Sequence, residues 1–359
     1  MIPKTIDDVS ATWLSEVLNV PVTAIVPEQI GQGVGLMGDI YRVKLTPQPE
    51  NLPASVVVKL PSSFEENRAQ GVALGMFDAE VRFYRELAPE ANVGLPEIYH
   101  ADIEPGSADF VIVMEDLADM AMVDQATGMN LAQATAAVKV LASIHAVWWD
   151  RVRTPELDWI PEMIGPRIAF VDEMLQQIYP VFAGQFGAEL PAGGLELFER
   201  FAGNYLKVNK TLAARSPWTL AHQDYRVENI MFDPAGSDRV VVLDWQGIGR
   251  GPGAYDLAYI LGGSMETELR REHEQALVKA YHDQLLAAGV SGYSDDQAWE
   301  DYGLAHLQGG LATSMVTGGS MDLSNERGRN LVATMSRRHV TAALDHNGMA
   351  QLNACIEAH

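Results

Sequence analysis

Residues 222–246, HQDYRVENIMFDPAGSDRVVVLDWQ, hold the side chains best suited to chemistry. His222, Asp224, Asn229 and Asp244 bracket two short apolar runs, NIMF and RVVVL, and the DPAGSD between them is made of turn formers. The pattern predicts a β-hairpin. With its turn closed, residues whose numbers sum to about 471 face each other, so Asn229 lies opposite Val242 with Asp244 just beyond. Both then emerge at one end of the hairpin, about 10 Å or less apart. A carboxylate and an amide oxygen converging there are hard ligands, suited to Mg²⁺ more than to zinc. Asp224, on the loop leading in, faces the same point without being a ligand. Capping and turn roles explain any one of these residues alone, but explain poorly the whole set in this order.

H-x-D-x-x-x-x-N, then a strand and a second Asp, is the order of a kinase catalytic loop and its metal-binding Asp. In that arrangement Asp224 accepts the proton of an acceptor hydroxyl. Asn229 and Asp244 hold magnesium on the nucleotide phosphates. A kinase also needs residues upstream that handle phosphate. GQGVGLMGDIYRV places Gly33, Gly35 and Gly38 between two strand-like segments, where missing Cβ atoms let backbone approach phosphate. No helix follows, which argues against the dinucleotide-binding use of such a loop. Lys59 ends the run VVVK on the face of Val57, where alternation predicts an apolar contact. Glu80 sits on the apolar stripe of a predicted helix, between Phe77 and Tyr84, where a carboxylate is costly unless paired. A Lys59–Glu80 pair resolves both anomalies and fixes the lysine against the α/β-phosphates. Glu86 on the same helix reads as solvated, and a snorkelling strand-end lysine is the plain alternative for Lys59.

The elements that must position these groups fall into two regions. VTAIVPEQI, IYRVKL, SVVVKL and DFVIVMEDL read as strands, interrupted by one helix, MFDAEVRFYRELA. After about residue 118 the pattern turns helical: LAQATAAVKVLASIHAVWWDR, then 163–186, 195–214, 266–288, 297–316 and 326–346. The expected fold is α+β and bilobal: residues 1–117 as a small antiparallel nucleotide-binding lobe, residues 118–359 as a larger, mainly helical lobe carrying the catalytic hairpin and acceptor site.

The chain resembles the aminoglycoside phosphotransferase and choline kinase-like superfamily, small-molecule kinases with a protein-kinase-like fold. LAHQDYRVENIMF resembles that superfamily's H-G-D-x-x-x-x-N block, and VVVLDWQGIGRGPGAYDLAY its Asp block with the Asp-Leu-Ala helix after it. The Gln of DWQ leans toward the ecdysteroid kinase-like branch. Gln223 departs from the usual Gly of the loop. The resemblance implies a kinase transferring the γ-phosphoryl of Mg²⁺-bound ATP to a hydroxyl of a small molecule. It implies that backbone groups of Glu115 and Leu117, in VIVMEDL, meet the adenine edge, and that Asp256 braces the catalytic loop from below. His145 and Trp148 read as packing residues. A nucleotide-binding pseudokinase is the alternative, disfavoured because Lys59, Glu80, Asp224, Asn229 and Asp244 are all of the active type.

The stretch between Asp244 and Asp256 is too short for a peptide-substrate platform, and the Arg of H-R-D is absent, so a small-molecule acceptor is favoured over protein. Residues 305–330, with Met315, Met321 and paired glycines, are the candidate acceptor wall; plain helix packing is the alternative. Net charge is −23, shared between 1–117 and the remainder, which argues against nucleic acid or anionic lipid as partner. No apolar run reaches a membrane span, the start lacks a secretion-signal pattern, and Cys355 is the only cysteine, so a cytoplasmic, disulfide-free protein is expected. The acceptor's identity, ATP against GTP, and the oligomeric state are left open by these residues.

Overall fold

Alternating β-branched residues in the first third build a five-stranded antiparallel sheet. The structure is a computed structural model that describes residues 2–31, 37–47, 54–91, 93–320 and 326–359. Gly33, Gly35 and Met321 lie outside the described residues. The chain divides into two compact units: 1–120 with 241–247, and 121–240 with 248–359.

The first unit begins with α1 (Ala11–Leu18), whose N-cap Ser10 accepts a hydrogen bond from the Trp13 N–H at 3.1 Å. Strands β1 (Ala24–Ile30), β2 (Gly38–Thr46) and β3 (Ser55–Pro61) follow. Next come α2 (Glu65–Ala73), α3 (Met76–Arg82) and a π-helical turn, Phe83–Leu87. Strands β4 (Ile98–Ile103) and β5 (Phe110–Glu115) complete the sheet in the order β1-β2-β3-β5-β4. Val43, Val56, Val58, Val111 and Val113 bury one face together with Leu14 of α1. Phe77 of α3 stacks on Phe110 with ring centroids 4.8 Å apart, which lays α3 against the opposite face. The segment 241–247 joins this unit because Trp245 stacks on Phe83, centroids 4.0 Å apart, and the Val242 N–H donates to Gly94 O at 2.8 Å. The expected 1–117 and 118–359 division kept that segment with the helical region; the stack of two aromatic rings holds it against the π-helical turn of the first unit.

The second unit carries short strands among helices, in chain order β6 (Ala121–Met122), α4 (Leu131–Val147), α5 (Pro166–Phe186), α6 (Gly194–Phe201), α7 (Tyr205–Arg215), β7 (Trp218–Ala221) and β8 (Ile230–Phe232). Strand β9 (Val240–Val242) starts at the last residue before the 241–247 segment of the first unit, and the second unit resumes with β10 (Gly249–Pro252), α8 (Ala254–Gly263), α9 (Thr267–Ala287), α10 (Asp295–Ala305), α11 (Gly309–Ser320), α12 (Glu326–Asp345) and α13 (Gly348–Ala358). Strand β6 pairs with β8, and β7 with β10. The α+β expectation therefore holds, with the antiparallel sheet in the first unit and the helices mostly in the second.

Two predicted helices are split. The segment expected at 195–214 breaks at Gly203, which adopts φ +81°. The one expected at 297–316 breaks at His306–Gln308, between α10 and α11. Hydrophobic periodicity carried across each break, so it gave no sign of them. No helix among the described residues is long and apolar enough to cross a membrane.

Candidate active site

Lys59 lies on β3, register-paired with Ile40 on one side and Ile112 on the other. Its Nζ donates to both carboxylate oxygens of Glu80, at 2.8 and 2.7 Å, and contacts Asp244 Oδ1 at 3.2 Å. Lys59 is 8% exposed and Glu80 1%. Burial favours the neutral amine, but the Asp244 and Glu80 carboxylates outweigh it and raise the lysine above its ordinary range. Lys59 is thus a fixed cation. Asp244 adopts φ +66°, a left-handed backbone that aspartate tolerates better than most residues. Its carboxylate keeps some exposure and also accepts from Gln246 Nε2 at 3.4 Å, so it retains oxygen surface for a metal.

Gly38 opens β2 beside this lysine. A Cβ there would lie 2.9 Å from Leu60 O and 3.3 Å from Lys59 Cε. Glycine at 38 therefore has a packing reason in addition to any phosphate role. The Glu115 N–H donates to Glu97 O at 2.8 Å, and Leu117 O accepts from the Met120 N–H at 3.0 Å. The intervening Asp116 is anchored by Arg42 Nε and Nη2, at 2.8 and 3.1 Å, and by Ser55 Oγ at 2.5 Å. This bidentate clamp holds the backbone of residues 115–117 in one place.

In the second unit the loop after β7 is built around a buried carboxylate. Asp256, at the start of α8, is fully buried and accepts the backbone N–H of His222 at 2.6 Å and of Gln223 at 2.9 Å. His145 Nε2 lies 3.2 Å from the same carboxylate, and His145 Nδ1 meets Tyr281 OH at 2.8 Å. The Asp224 N–H in turn donates to His222 Nδ1 at 3.2 Å. His145, His222 and Asp256 thus shape the loop rather than face a substrate.

Gln223 adopts φ +67°, a left-handed backbone that glycine takes without the Cβ clash a glutamine meets. Here the strain is held by Arg167, whose Nη2 donates to Gln223 Oε1. The amide also fills the space against Gly249, where a Cβ would lie 2.4 Å from Gln223 Nε2.

Asp224 follows, held on both oxygens. Tyr259 OH donates to Oδ1 at 3.1 Å, and Asn229 Nδ2 donates to Oδ2 at 3.0 Å and to Asp224 O at 2.9 Å. With the Asn229 NH₂ fixed by two acceptors, its Oδ1 is the atom left to bind a cation. Arg226 Nε reaches Asp224 Oδ2 at 3.4 Å. Burial opposes that guanidinium's charge, but Asp224, Tyr259 and Glu228 outweigh it and raise it further above its ordinary range.

Sequence reasoning missed Arg226 and Tyr259. A cation two residues after Asp224, and a tyrosine one helical turn after Asp256, were the available signals. Met315 is fully buried and packs in the helical core, so it does not line an acceptor surface.

A family model for ecdysteroid kinase-like proteins matches residues 32–289. The chain belongs to the ecdysteroid kinase-like family. That matched region includes Lys59, Glu80, Asp224, Asn229, Asp244 and Asp256. Solved structures of similar fold include a choline kinase from Cryptosporidium parvum, with TM-score 0.61, 11% identity and 92% of each chain covered. A putative aminoglycoside phosphotransferase from Ralstonia eutropha matches with TM-score 0.54 and 16% identity, over 93% of this chain and 97% of that one. At these identities the likeness is one of fold. Among curated proteins, this ecdysteroid kinase-like chain is 26% identical over 273 residues to an uncharacterized oxidoreductase, dhs-27, of Caenorhabditis elegans. That match covers 70% of this chain and 32% of the relative, so the chain spans about a third of the relative's length.

Proposed function

We propose that this protein is a small-molecule kinase that transfers the γ-phosphoryl group of ATP to a hydroxyl of a small-molecule acceptor. The observation that carries the reading is the buried Lys59 cation, bonded to Glu80 and within 3.2 Å of Asp244. A burial of this kind is costly for stability alone and suits a cation needed at phosphate. Family membership and the kinase fold support it.

The residues fit Mg²⁺-bound nucleotide. Asp244 and the free Oδ1 of Asn229 are hard oxygen donors, and Lys59 supplies a fixed positive charge. Bound Mg·ATP would bring the phosphoryl group and neutralise its charge. Lys59, oriented by Glu80, holds the nucleotide phosphates. Backbone groups of Glu115 and Leu117 would meet the base. Gly38, beside Lys59, would border the phosphates. Asp224 takes the acceptor's proton on a carboxylate oxygen as the new O–P bond forms and the bridging bond to the β-phosphate breaks, releasing ADP. Asn229, Arg226 and Tyr259 hold that carboxylate in place. The geometry around Asp224 asks for positioning more than for a strong base, as expected for phosphoryl transfer. We place the protein in the cytoplasm, with neither nucleic acid nor membrane as partner.

The test is an acceptor screen by ATP consumption, coupled to thermal shift with Mg·ATP and with Mg²⁺ alone. The kinase reading expects stabilisation by Mg·ATP and turnover on at least one alcohol. Asp224→Ala should lose turnover by at least about 10²-fold while changing Mg·ATP affinity by less than about 3-fold. Binding without turnover on any acceptor would favour a pseudokinase regulator. Near-normal turnover by Asp224→Ala would remove Asp224 as the base.

A further inference from the structure

The break between α10 and α11 leaves His306 in an unusual position. It caps α10, is 3% exposed, and neither of its ring nitrogens has a hydrogen-bond partner. A neutral imidazole carries one donor and one acceptor, so a buried ring with neither satisfied needs an explanation. His346, just after α12, approaches it with ring centroids 5.1 Å apart. Glu274 of α9 completes the group. The three residues each present a ligand atom within 4.8 Å of the others.

We propose that Glu274, His306 and His346 form a binding site for a zinc-class divalent transition metal, separate from the magnesium of phosphoryl transfer. Two imidazoles and a carboxylate are a donor set suited to such an ion rather than to Mg²⁺. His346 Nε2 lies 3.3 Å from Glu274 Oε1. Ligand atoms on a tetrahedral zinc with bonds of 2.0–2.1 Å are also about 3.3 Å apart. The 4.8 Å limit on the whole group leaves on the order of 1 Å of side-chain adjustment.

The surroundings prepare the carboxylate for this role. Glu274 Oε2 is occupied by Arg270 Nη1 at 2.5 Å and Tyr302 OH at 2.8 Å, which leaves Oε1 facing His346. Outer contacts of this kind orient a metal ligand. Arg270 is the cation that would oppose a metal, and it is also paired with Asp345. Both histidines sit at helix C-termini, where the carbonyl ends favour a cation. A surface cavity of about 460 Å³, lined by Glu274, His346, Trp299 and Gly303, gives an entry path and room for a water as fourth ligand. Gly303 belongs to the design: a Cβ there would lie 3.0 Å from His346 Nδ1.

The experiment strips the protein with a chelator, then adds Zn²⁺ or Co²⁺ and measures stoichiometry, affinity, visible absorption and melting temperature. The proposal expects about one zinc per chain, four-coordinate cobalt absorption and a rise in melting temperature that Mg²⁺ does not give. His346→Gln and Gly303→Ala should each weaken zinc binding about 10-fold or more. His273→Gln, a histidine of α9 outside the group, should leave it unchanged. Gly303→Ala favours its helix while crowding His346, so it serves if His346→Gln fails to fold. Absence of four-coordinate cobalt absorption in the wild type, or equal zinc affinity in Gly303→Ala, overturns the proposal. The readout is metal binding, so it stands or falls apart from phosphotransfer.

Discussion

Replacing Lys59 by Met keeps the bulk of the stem and removes the cation against which Glu80 is buried. Glu80 is 1% exposed, and the other charge 3.2 Å from the lost Nζ is a second carboxylate, Asp244. The stranded Glu80 has two courses. It stays ionised, at several kcal/mol of desolvation, or it takes a proton. Protonation sets the ceiling. From an ordinary glutamate pKa near 4.3, at 1.36 kcal/mol per unit, it costs about 3.7 kcal/mol at pH 7 and about 1 kcal/mol at pH 5. Lys59→Met should therefore destabilise the fold by about 3–4 kcal/mol at pH 7 and about 1 kcal/mol at pH 5.

The sign follows from proton counting. In the variant, the folded pKa of Glu80 lies above the unfolded one, so between them the native state binds more protons and stability rises as pH falls. Urea unfolding of variant and wild type from pH 5 to 8, followed by circular dichroism and fluorescence, measures it. Adding Glu80→Gln should recover most of the loss and flatten the pH dependence, while Mg·ATP binding stays impaired. A Lys59→Met penalty below about 1 kcal/mol at pH 7, or one unchanged with pH, would refute the reasoning.

Asp256→Asn replaces a buried carboxylate that accepts from two backbone N–H groups, and its new NH₂ must face one of them. It should cost about 2–4 kcal/mol by urea unfolding and lower kcat more than it raises KM for ATP; a neutral effect would show that the loop holds itself. Gly249→Ala puts a Cβ 2.4 Å from the Gln223 amide, so it should cost about 1–3 kcal/mol, and adding Gln223→Gly should relieve much of that in a double-mutant cycle. His339 is buried in the helical unit, and burial lowers its pKa from 6.5 to about 3. The unfolded chain then binds more protons as pH falls below 6.5, so stability should drop by about 1.4 kcal/mol per pH unit from this group, and His339→Gln should remove that slope in urea midpoints.

The candidate loop was legible because its residue types and spacings are local. Asp224 and Asn229 are five positions apart, and one loop turn brings the amide back to the carboxylate. Glu80 was legible for a different reason: a carboxylate on an apolar helical stripe demands a partner, and Lys59 was the strand residue with the matching anomaly. The α+β division followed from the switch of period from two to that of a helix.

What sequence by itself determined, then, was the residue types available and the change from a strand-rich to a helical region, since both depend on near neighbours in the chain; α1, α2 and β4 escaped it. Tertiary structure decided the rest. It assigned 241–247 to the sheet unit through the Trp245–Phe83 stack. It gave Gly38 a packing role beside Lys59 and turned Gln223 into a strained link to Arg167. It also gathered Glu274 of α9 with His306 and His346 from the ends of α10 and α12, residues too far apart for any local pattern to join. Contacts over such distances arise only when whole elements pack, and packing answers to shape and burial, which spacing along the chain does not encode.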